Sequence, residues 1–360
     1  MKRNIIVAVI LVAAVAITAV ACSKGSSGGG TTTDFTTLKK TVLTDFTNNV
    51  ALAGYKDLDD QATTFNNAIT ALNTTPTDAN LGTARQAWKD MRTIWERCEG
   101  FLFGPVEDND YDPNMDTWPT DYVQLDSVLA SSNALEAADI QNFTLSLRGY
   151  HPIEYILFGN HGSRTAASLT SRQKKYMVSL VTDIKSTCHS LYLSWSAAPT
   201  NYAQLVLTAG SGSTKYSKKQ EVYLAMVDAM IDICNEVGSE KMKDPFDAKD
   251  STIVESPYAG TSTADFQNNI IGLQNVYLGK YKVDGTGIND LVVAKNTSLD
   301  NAIQSQITAA INSFNNITLP YEEAIINQRV QCQQTMTALA TLKSTLDDEL
   351  RPFIIQYVTD

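Results

Sequence analysis

Apolar residues recur at helical spacing along most of the chain, and this pattern predicts an almost entirely helical protein. In the first stretch, Leu38, Val42, Leu43, Phe46 and Val50 fall on one side of a helix. The predicted helices cover 34–54, 58–73, 77–98, 134–157, 170–196, 215–240, 264–279, 296–314 and 320–350. The sequence shows no sustained period-two alternation, which strands with one buried face would require. We therefore predict an all-α fold built from antiparallel helical bundles.

The length of the chain after residue 33 predicts two packed domains, because about 325 residues exceed what one hydrophobic core usually supports. We place an N-terminal bundle at 34–208 and a C-terminal bundle at 209–360, since AGSGST at 209–214 is the best candidate break. The segment 104–121, GPVEDNDYDPNMDTWPTD, interrupts the helical pattern. Its acidic run lacks the glycine and the final glutamate of an EF-hand loop, so a calcium site of that type is not expected. An irregular segment of this length is more often functional than a simple connector.

The first 33 residues have the pattern of an exported lipoprotein. Lys2 and Arg3 precede an apolar stretch at 5–20, and small residues lead to Cys22. We predict a lipoprotein signal peptide at 1–21, acylation of Cys22 and a flexible Gly/Ser/Thr tether at 22–33. The expected location is the cell envelope, at the outer membrane facing the periplasm; the alternative is a plain secreted protein.

Charge and cysteine content exclude several classes of partner. The formal net charge is −11, and it becomes −13 without Lys2 and Arg3. An acidic body argues against nucleic acid and against anionic lipid surfaces as ligands. The remaining cysteines are too far apart for zinc-finger spacing and fall on apolar helix faces, so we expect buried thiols, with one disulfide as the alternative. They are Cys98, Cys188, Cys234 and Cys332.

The stretch GYHPIEYILFG at 149–159 contains the strongest candidate chemistry. His151 and Glu154 are three residues apart, so their side chains project from the same helix face. Imidazole together with carboxylate suits iron, copper, zinc or manganese. The alternative is a capping box, with His151 at the N-cap, Pro152 in the first turn and Glu154 at the third position. The HExxH, GxSxG and phosphate-loop motifs of other chemistries are absent.

This stretch resembles the GxHxxE signature of the imelysin-like proteins, which are bacterial envelope proteins often called iron-regulated and often described as peptidases. Three further blocks resemble that family in the same order: WERCEGFLFG at 95–104, WPTD at 118–121 and VESPYAGTSTADFQNNIIGLQNVYLGKY at 254–281. Together the blocks cover most of the body. The resemblance implies an all-helical fold of two bundle-like domains, with a site near their interface.

The resemblance also implies which residues form that site. The implied metal ligands are His151, Glu154, Glu99 and Asp121, and the implied lining residues are Trp118, Glu255, Ser256 and Tyr258. Ala259 stands where the family pattern has a serine, so a catalytic serine is not expected there. The alternatives are a surface charge for Glu99 and a helix N-cap for Asp121.

Three functions are compatible with these residues. The first is binding of a transition-metal ion, namely iron, copper or zinc, or of an iron-containing ligand such as haem, in iron uptake with an envelope transport partner. The second is a metallopeptidase at the same HxxE site, although one histidine barely meets the ligand count of a catalytic zinc. The third is a helical interaction scaffold without a metal.

Overall fold

The computed structural model describes residues 34–359, and no strand occurs among them. The all-α prediction is confirmed. The predicted signal peptide, the tether and Cys22 lie outside the described residues. The helices of the first half are α1 Phe35–Asp45, α2 Ala53–Thr74, α3 Asp78–Cys98, α4 Pro105–Asp108, α5 Tyr111–Asp116, α6 Tyr122–Ala130, α7 Ala137–Ile140, α8 Tyr150–Phe158, α9 Ser171–Ser196 and α10 Tyr202–Leu207. Those of the second half are α11 Lys219–Asn235, α12 Lys243–Ala248, α13 Ser262–Leu278, α14 Ile288–Val293, α15 Thr297–Ser313, α16 Tyr321–Asn327, α17 Arg329–Thr345 and α18 Arg351–Tyr357.

Three π-helical turns continue long helices instead of ending them. Phe46–Leu52 joins α1 to α2, Glu236–Lys241 extends α11, and Leu346–Leu350 joins α17 to α18. Such turns are rare and are often found at functional sites. The second one carries Lys241 into the site described below. Within the described range, none of the helices combines the length and the apolar composition that a bilayer crossing requires.

Helix α3 is the central element of the packing. It packs against α2 on one side, α2 packs in turn against α9, and α13 lies against α3 from the second half of the chain. Large apolar side chains on α3, including Trp88 and Trp95, are fully buried in this arrangement. The described residues, 34–359, form one compact unit, and the predicted boundary at 209 stays a prediction.

The region 134–157 differs from the single helix that we predicted. It contains α7, a 3₁₀ turn at Leu145–Leu147 and the start of α8. Gly149 has a φ of 78°, which a continuous right-handed helix does not allow. The irregular segment 104–121 is also partly helical, since it holds α4 and α5. All four cysteines of the described chain are buried free thiols, as expected.

Two glycines allow α3 and α13 to cross at very short range. A Cβ atom on Gly100, just past the end of α3, would lie 2.4 Å from the carbonyl carbon of Gly272. A Cβ atom on Gly272 would lie 2.3 Å from the carbonyl oxygen of Arg97. Because both contacts are with backbone, no side-chain rotation relieves them. The close crossing brings polar residues of α3 against polar residues of α13.

We expect Gly100→Ala to lower the free energy of unfolding by about 1–3 kcal/mol, because the added methyl group forces the two helices apart. The measurement is equilibrium denaturation of the purified protein. Gly82→Ala is the matched control, because Gly82 lies in α3 and a Cβ atom added there would meet nothing within 4 Å. That change should raise stability by about 0.5–1 kcal/mol. If the two substitutions changed the free energy of unfolding equally, the close crossing of α3 and α13 would not be the cause of the effect of Gly100→Ala.

Candidate metal centre

Gly149 determines where the HxxE helix begins. A Cβ atom on Gly149 would lie 1.9 Å from the carbonyl oxygen of Met115, so only glycine lets α8 start against the end of α5. Asp116, the last residue of α5, thereby meets His151 of α8. The Nε2 atom of His151 is 3.0 Å from Oδ1 of Asp116, and both side chains are buried. The glycine of the GxHxxE pattern therefore brings a second carboxylate to the histidine.

Glu154 connects α8 to the loop that precedes α13. Its Oε2 atom lies 3.3 Å from Nδ1 of His151. Its Oε1 atom accepts hydrogen bonds from the backbone N–H groups of Tyr258 and Ala259, each at 2.8 Å. The N-cap of α8 is Gly149, so Glu154 binds a distant loop and not the start of its own helix. The capping-box alternative for His151 and Glu154 is wrong.

Asp116 is held by two residues of α3. The indole Nε1 of Trp95 donates a 2.6 Å hydrogen bond to its Oδ2 atom, and Arg92 donates to its Oδ1 atom. Burial by itself would raise the pKa of Asp116, but Arg92 and then His151 hold that pKa well below its usual range. Burial likewise opposes the charged form of His151, yet Asp116 and Glu154 raise its pKa to about 9. The carboxylate and the imidazolium therefore stabilise each other.

Arg92 is the buried cation that links several elements. It binds Glu96 on its own helix, and its Nη2 atom lies 2.6 Å from Oε1 of Glu255 in the loop before α13. The guanidinium carbon also lies 5.0 Å from the centre of the Tyr150 ring. A planar guanidinium suits this arrangement because its donors point in fixed, diverging directions.

Lys241 is a second cation at the edge of the same cluster. Its Nζ atom lies 3.0 Å from Glu99, 3.2 Å from Glu236 and 3.5 Å from Glu255. The Oε2 atom of Glu255 has no hydrogen-bond donor in the part of the chain that the structure describes. The 3.5 Å distance from Lys241 is to this oxygen, so a ligand that binds it competes with the ammonium group.

Glu96 and Glu99 share one neutral donor. The Nδ2 atom of Asn269 on α13 lies 2.6 Å from an oxygen of each carboxylate. Burial raises the pKa of Glu96 to about 8, against the opposing charge of Arg92. Burial and the neighbouring charge of Glu96 raise the pKa of Glu99 well above its usual range. The cluster thus contains more carboxylates than its cations neutralise.

A cavity of about 320 Å³ leads to this cluster. Lys241 and Trp118 line it together with seven carboxylates. The carboxylates are those of Glu99, Asp112, Asp116, Glu236, Glu240, Asp244 and Glu255. Among the described residues, two sets of three side chains could each hold a metal ion, because the ligand atoms within a set lie within 4.8 Å of one another. These candidate ligand groups are Asp116–His151–Glu255 and Glu99–Asp112–Asp116. Because Asp116 belongs to both groups, a cation entering from the cavity can reach His151 through that carboxylate.

Most of the residues predicted for the site lie in or beside the cluster. Glu99 and Glu255 contribute carboxylates. Trp118 lines the cavity and donates a 3.1 Å hydrogen bond to the carbonyl of Val254. Ser256 is fully buried with a φ of 51°, and Tyr258 contributes the N–H group that binds Glu154.

Asp121 has a structural role at the start of α6. Its side chain caps α6 by accepting a 2.9 Å hydrogen bond from the backbone N–H of Gln124. Neither Asp121 nor Glu154 belongs to a candidate ligand group of the described residues, so both stay predictions as metal ligands, and Asp121 has the N-cap role that we gave as its alternative. Asp116, five residues earlier, occupies the position beside His151 that we expected for Asp121.

Several residues of the cluster were not predicted, and they are Arg92, Glu96, Asp116, Lys241, Asn269 and Asp265. The Oδ2 atom of Asp265 lies 4.0 Å from Nη2 of Arg92. A sequence signal did exist for the α3 residues. Arg92, Glu96 and Glu99 follow helical spacing of four and three, on a helix whose neighbouring Trp88 and Trp95 are core residues. Charged residues within an apolar stripe are almost never buried without a partner, so they indicate a buried polar network.

The fold and the site define an all-helical protein with a buried cluster of carboxylates around one histidine. The sequence model of the imelysin family matches residues 51–347. The chain therefore belongs to the imelysin family.

Related proteins cover nearly the whole chain. Iron-regulated protein A of Synechococcus elongatus is 29% identical over 316 residues, which are 86% of this chain and 85% of that protein. A crystal structure of a protein described as an iron-regulated protein A precursor, from Parabacteroides distasonis, superposes with a TM-score of 0.80 at 25% identity, covering 90% of this chain and 95% of that one. An imelysin-like protein from Psychrobacter arcticum shares the fold, with a TM-score of 0.72 at 15% identity over 88% of this chain and 96% of that one.

The pKa shifts in the cluster predict that the metal-free protein loses stability as pH rises from about 5 to about 9. Burial raises the pKa of Glu96 to about 8, of Asp112 to about 7 and of Asp265 to about 6. The folded state therefore keeps protons that the unfolded chain releases near pH 4, and their stabilising effect is lost as pH approaches these raised values. The raised pKa of His151 acts in the same direction, up to about pH 9. Asp116, whose pKa is lowered, stabilises the fold above pH 4 and loses that effect only on further acidification.

We expect a decrease on the order of 2 kcal/mol over this range, measured by denaturation in the presence of a chelator. Glu96→Gln should flatten the pH dependence between about pH 5 and 8, because it removes one of the retained protons. A stability that rises with pH over the same range would contradict this account.

Proposed function

We propose that this protein binds a transition-metal cation, with iron as the first candidate, at the carboxylate cluster around His151 and Asp116, and that it serves iron uptake. The observation that carries the proposal is the excess of buried carboxylates at the end of an acidic cavity. Burying an ionised carboxylate without a counterion is unfavourable, and Arg92 and Lys241 offset only part of this desolvation free energy. A metal cation would supply the missing positive charge.

The donor set fits iron, copper or zinc. One imidazole nitrogen can bind a metal once His151 releases its proton, and several carboxylate oxygens surround it. The four described cysteines are buried free thiols outside both candidate ligand groups. Mixed nitrogen and oxygen ligands without thiolate are typical of non-haem iron and of some zinc and copper sites. Asp116, His151 and Glu255 would hold the ion on the inner side, while Glu99 and Asp112 would meet it from the cavity.

The lining of the cavity favours a small cation over haem. A haem pocket needs extended apolar walls, whereas this cavity has seven carboxylates. The name of the Synechococcus elongatus relative, iron-regulated protein A, supports iron among the possible metals. The acylated Cys22, the outer-membrane location and an envelope transport partner belong to the same proposal, and they rest on the pattern of the first 33 residues.

Asp116→Asn should abolish stoichiometric metal binding, because Asp116 is common to both ligand groups. The measurement is elemental analysis of the purified protein together with calorimetric titration of Fe, Cu and Zn. We expect one ion per chain for the wild type and at least a tenfold loss of affinity for the variant, which corresponds to about 1.4 kcal/mol or more. Glu255→Gln should weaken binding in the same direction.

Asp121→Asn is the matched control, since it makes the same chemical change at an exposed N-cap where asparagine is equally accepted. Its metal affinity and stability should equal those of the wild type. Absence of binding in the wild type, or equal binding by Asp116→Asn, would overturn the metal proposal.

Lys241 competes with a metal ion for the same carboxylates, because its ammonium lies within 3.5 Å of both Glu99 and Glu255. Lys241→Met should therefore tighten metal binding by about tenfold or more, at the expense of stability in the metal-free state. The control is Lys243→Met, which removes an exposed lysine that pairs with Asp247 at the surface. Unchanged or weaker metal affinity in Lys241→Met would show that the ion does not approach these two carboxylates.

A further inference from the structure

Two neighbouring cavities lie on the other side of the loop that binds Glu154. The larger has a volume of about 470 Å³ and the smaller about 340 Å³. They share three lining residues, His161, Tyr258 and Glu322, so these side chains form the wall between them. Neither cavity is lined by any carboxylate of the metal cluster. The two cavities are therefore a separate feature of the molecule.

Glu322 is the unusual group in this wall. The residue is only 7% exposed, and neither of its carboxylate oxygens has a hydrogen-bond donor within residues 34–359. Its ion-pair partner is His161, whose Nδ1 atom lies 3.5 Å from Oε1. The His161 side chain is 57% exposed, so solvent reaches the ring that pairs with this buried carboxylate. Burial raises the pKa of Glu322, against the smaller opposing effects of its own backbone N–H group and of His161.

The surroundings of Glu322 are aromatic. The rings of Tyr122, Tyr155 and Tyr258 form a cluster with centroid distances of 5.1–5.3 Å. Tyr122 and Tyr258 line the smaller cavity, and Phe158 lines the larger one. Aromatic faces attract organic cations and also pack against their carbon chains.

The cations already present in the larger cavity do not neutralise Glu322. The guanidinium of Arg85 donates its hydrogen bonds to the backbone carbonyls of Leu157, Phe158 and Arg164. Lys89 lies over the Phe158 ring, 5.5 Å from its centre. Metal binding is also disfavoured, because Glu322 and His161 are not part of any group of three ligands in the described chain.

We infer that Glu322 and the tyrosine cluster form a second binding site, for a protonated organic amine. Its ammonium N–H groups would satisfy the two bare oxygens of Glu322 after His161 turns outward, and its carbon chain would lie along Tyr258. A charged hydrogen bond in a buried setting is stronger than one between neutral groups, which gives the site its preference for a protonated amine. The amine can be a free polyamine or the amino group of a peptide, since both offer the same chemistry.

The test is calorimetric titration of the full protein with spermidine, with the peptide Gly-Gly-Gly and with its N-acetylated form. Histidine-ring NMR accompanies it, since the chain has only three histidines. We expect at least one amine to bind with a dissociation constant of about 1 mM or tighter, on the order of 4 kcal/mol or more. Binding should shift the ring signals of His161 and leave unchanged those of the exposed His189, which pairs with Asp59. Spermidine binding alone would identify free polyamines, whereas peptide binding that acetylation abolishes would identify peptide amino groups.

Glu322→Gln should weaken amine binding at least tenfold, because it keeps the shape of the side chain and removes its charge. Glu349→Gln is the matched control, since it makes the same change at an exposed glutamate that lines neither cavity and should leave the affinity unchanged. Absence of binding by all three probes, or equal affinity of Glu322→Gln and wild type, would overturn the inference. Asp116→Asn should lose metal binding and keep amine binding. The two proposals are therefore tested independently of each other.

Discussion

Arg92 neutralises charge at the point where three parts of the chain meet. From the middle of α3 it binds Asp116 at the end of α5 and Glu255 in the loop before α13, while pairing with Glu96 on its own helix. Without this cation, the carboxylates could not be buried together inside a helical protein, because an ionised carboxylate in a dry interior needs a partner. The position of His151 depends on the same arrangement, since Asp116 connects it to Arg92.

Close backbone contact is the second condition for this cluster. Gly149 lets α8 begin against Met115, and the pair Gly100 and Gly272 lets α3 cross α13 without a side chain between them. In both places a methyl group would push apart the elements that carry the charged residues. Without these close contacts the carboxylates would be more hydrated, and burial would raise their pKa values less.

The loop 254–260 connects the two proposed sites. Glu255 faces the metal cluster, the N–H groups of Tyr258 and Ala259 bind Glu154, and the Tyr258 ring forms a wall of the two aromatic cavities. The left-handed backbone of Ser256 turns the chain between these roles. The loop is therefore a structural element that both sites share.

The sequence by itself determined the all-helical fold, since period-3.6 apolar spacing is a local property. The HxxE spacing indicated His151 and Glu154 as candidates, and the resemblance to the imelysin family added Glu99 and Glu255. The sequence did not determine Asp116 as the partner of His151 or exclude Asp121, because both are acidic residues in one irregular segment. Only the tertiary structure decided between them, by bringing the end of α5 against Gly149. Contacts between residues far apart in the chain depend on how helices cross, and that geometry leaves no trace in the spacing of residues along one helix.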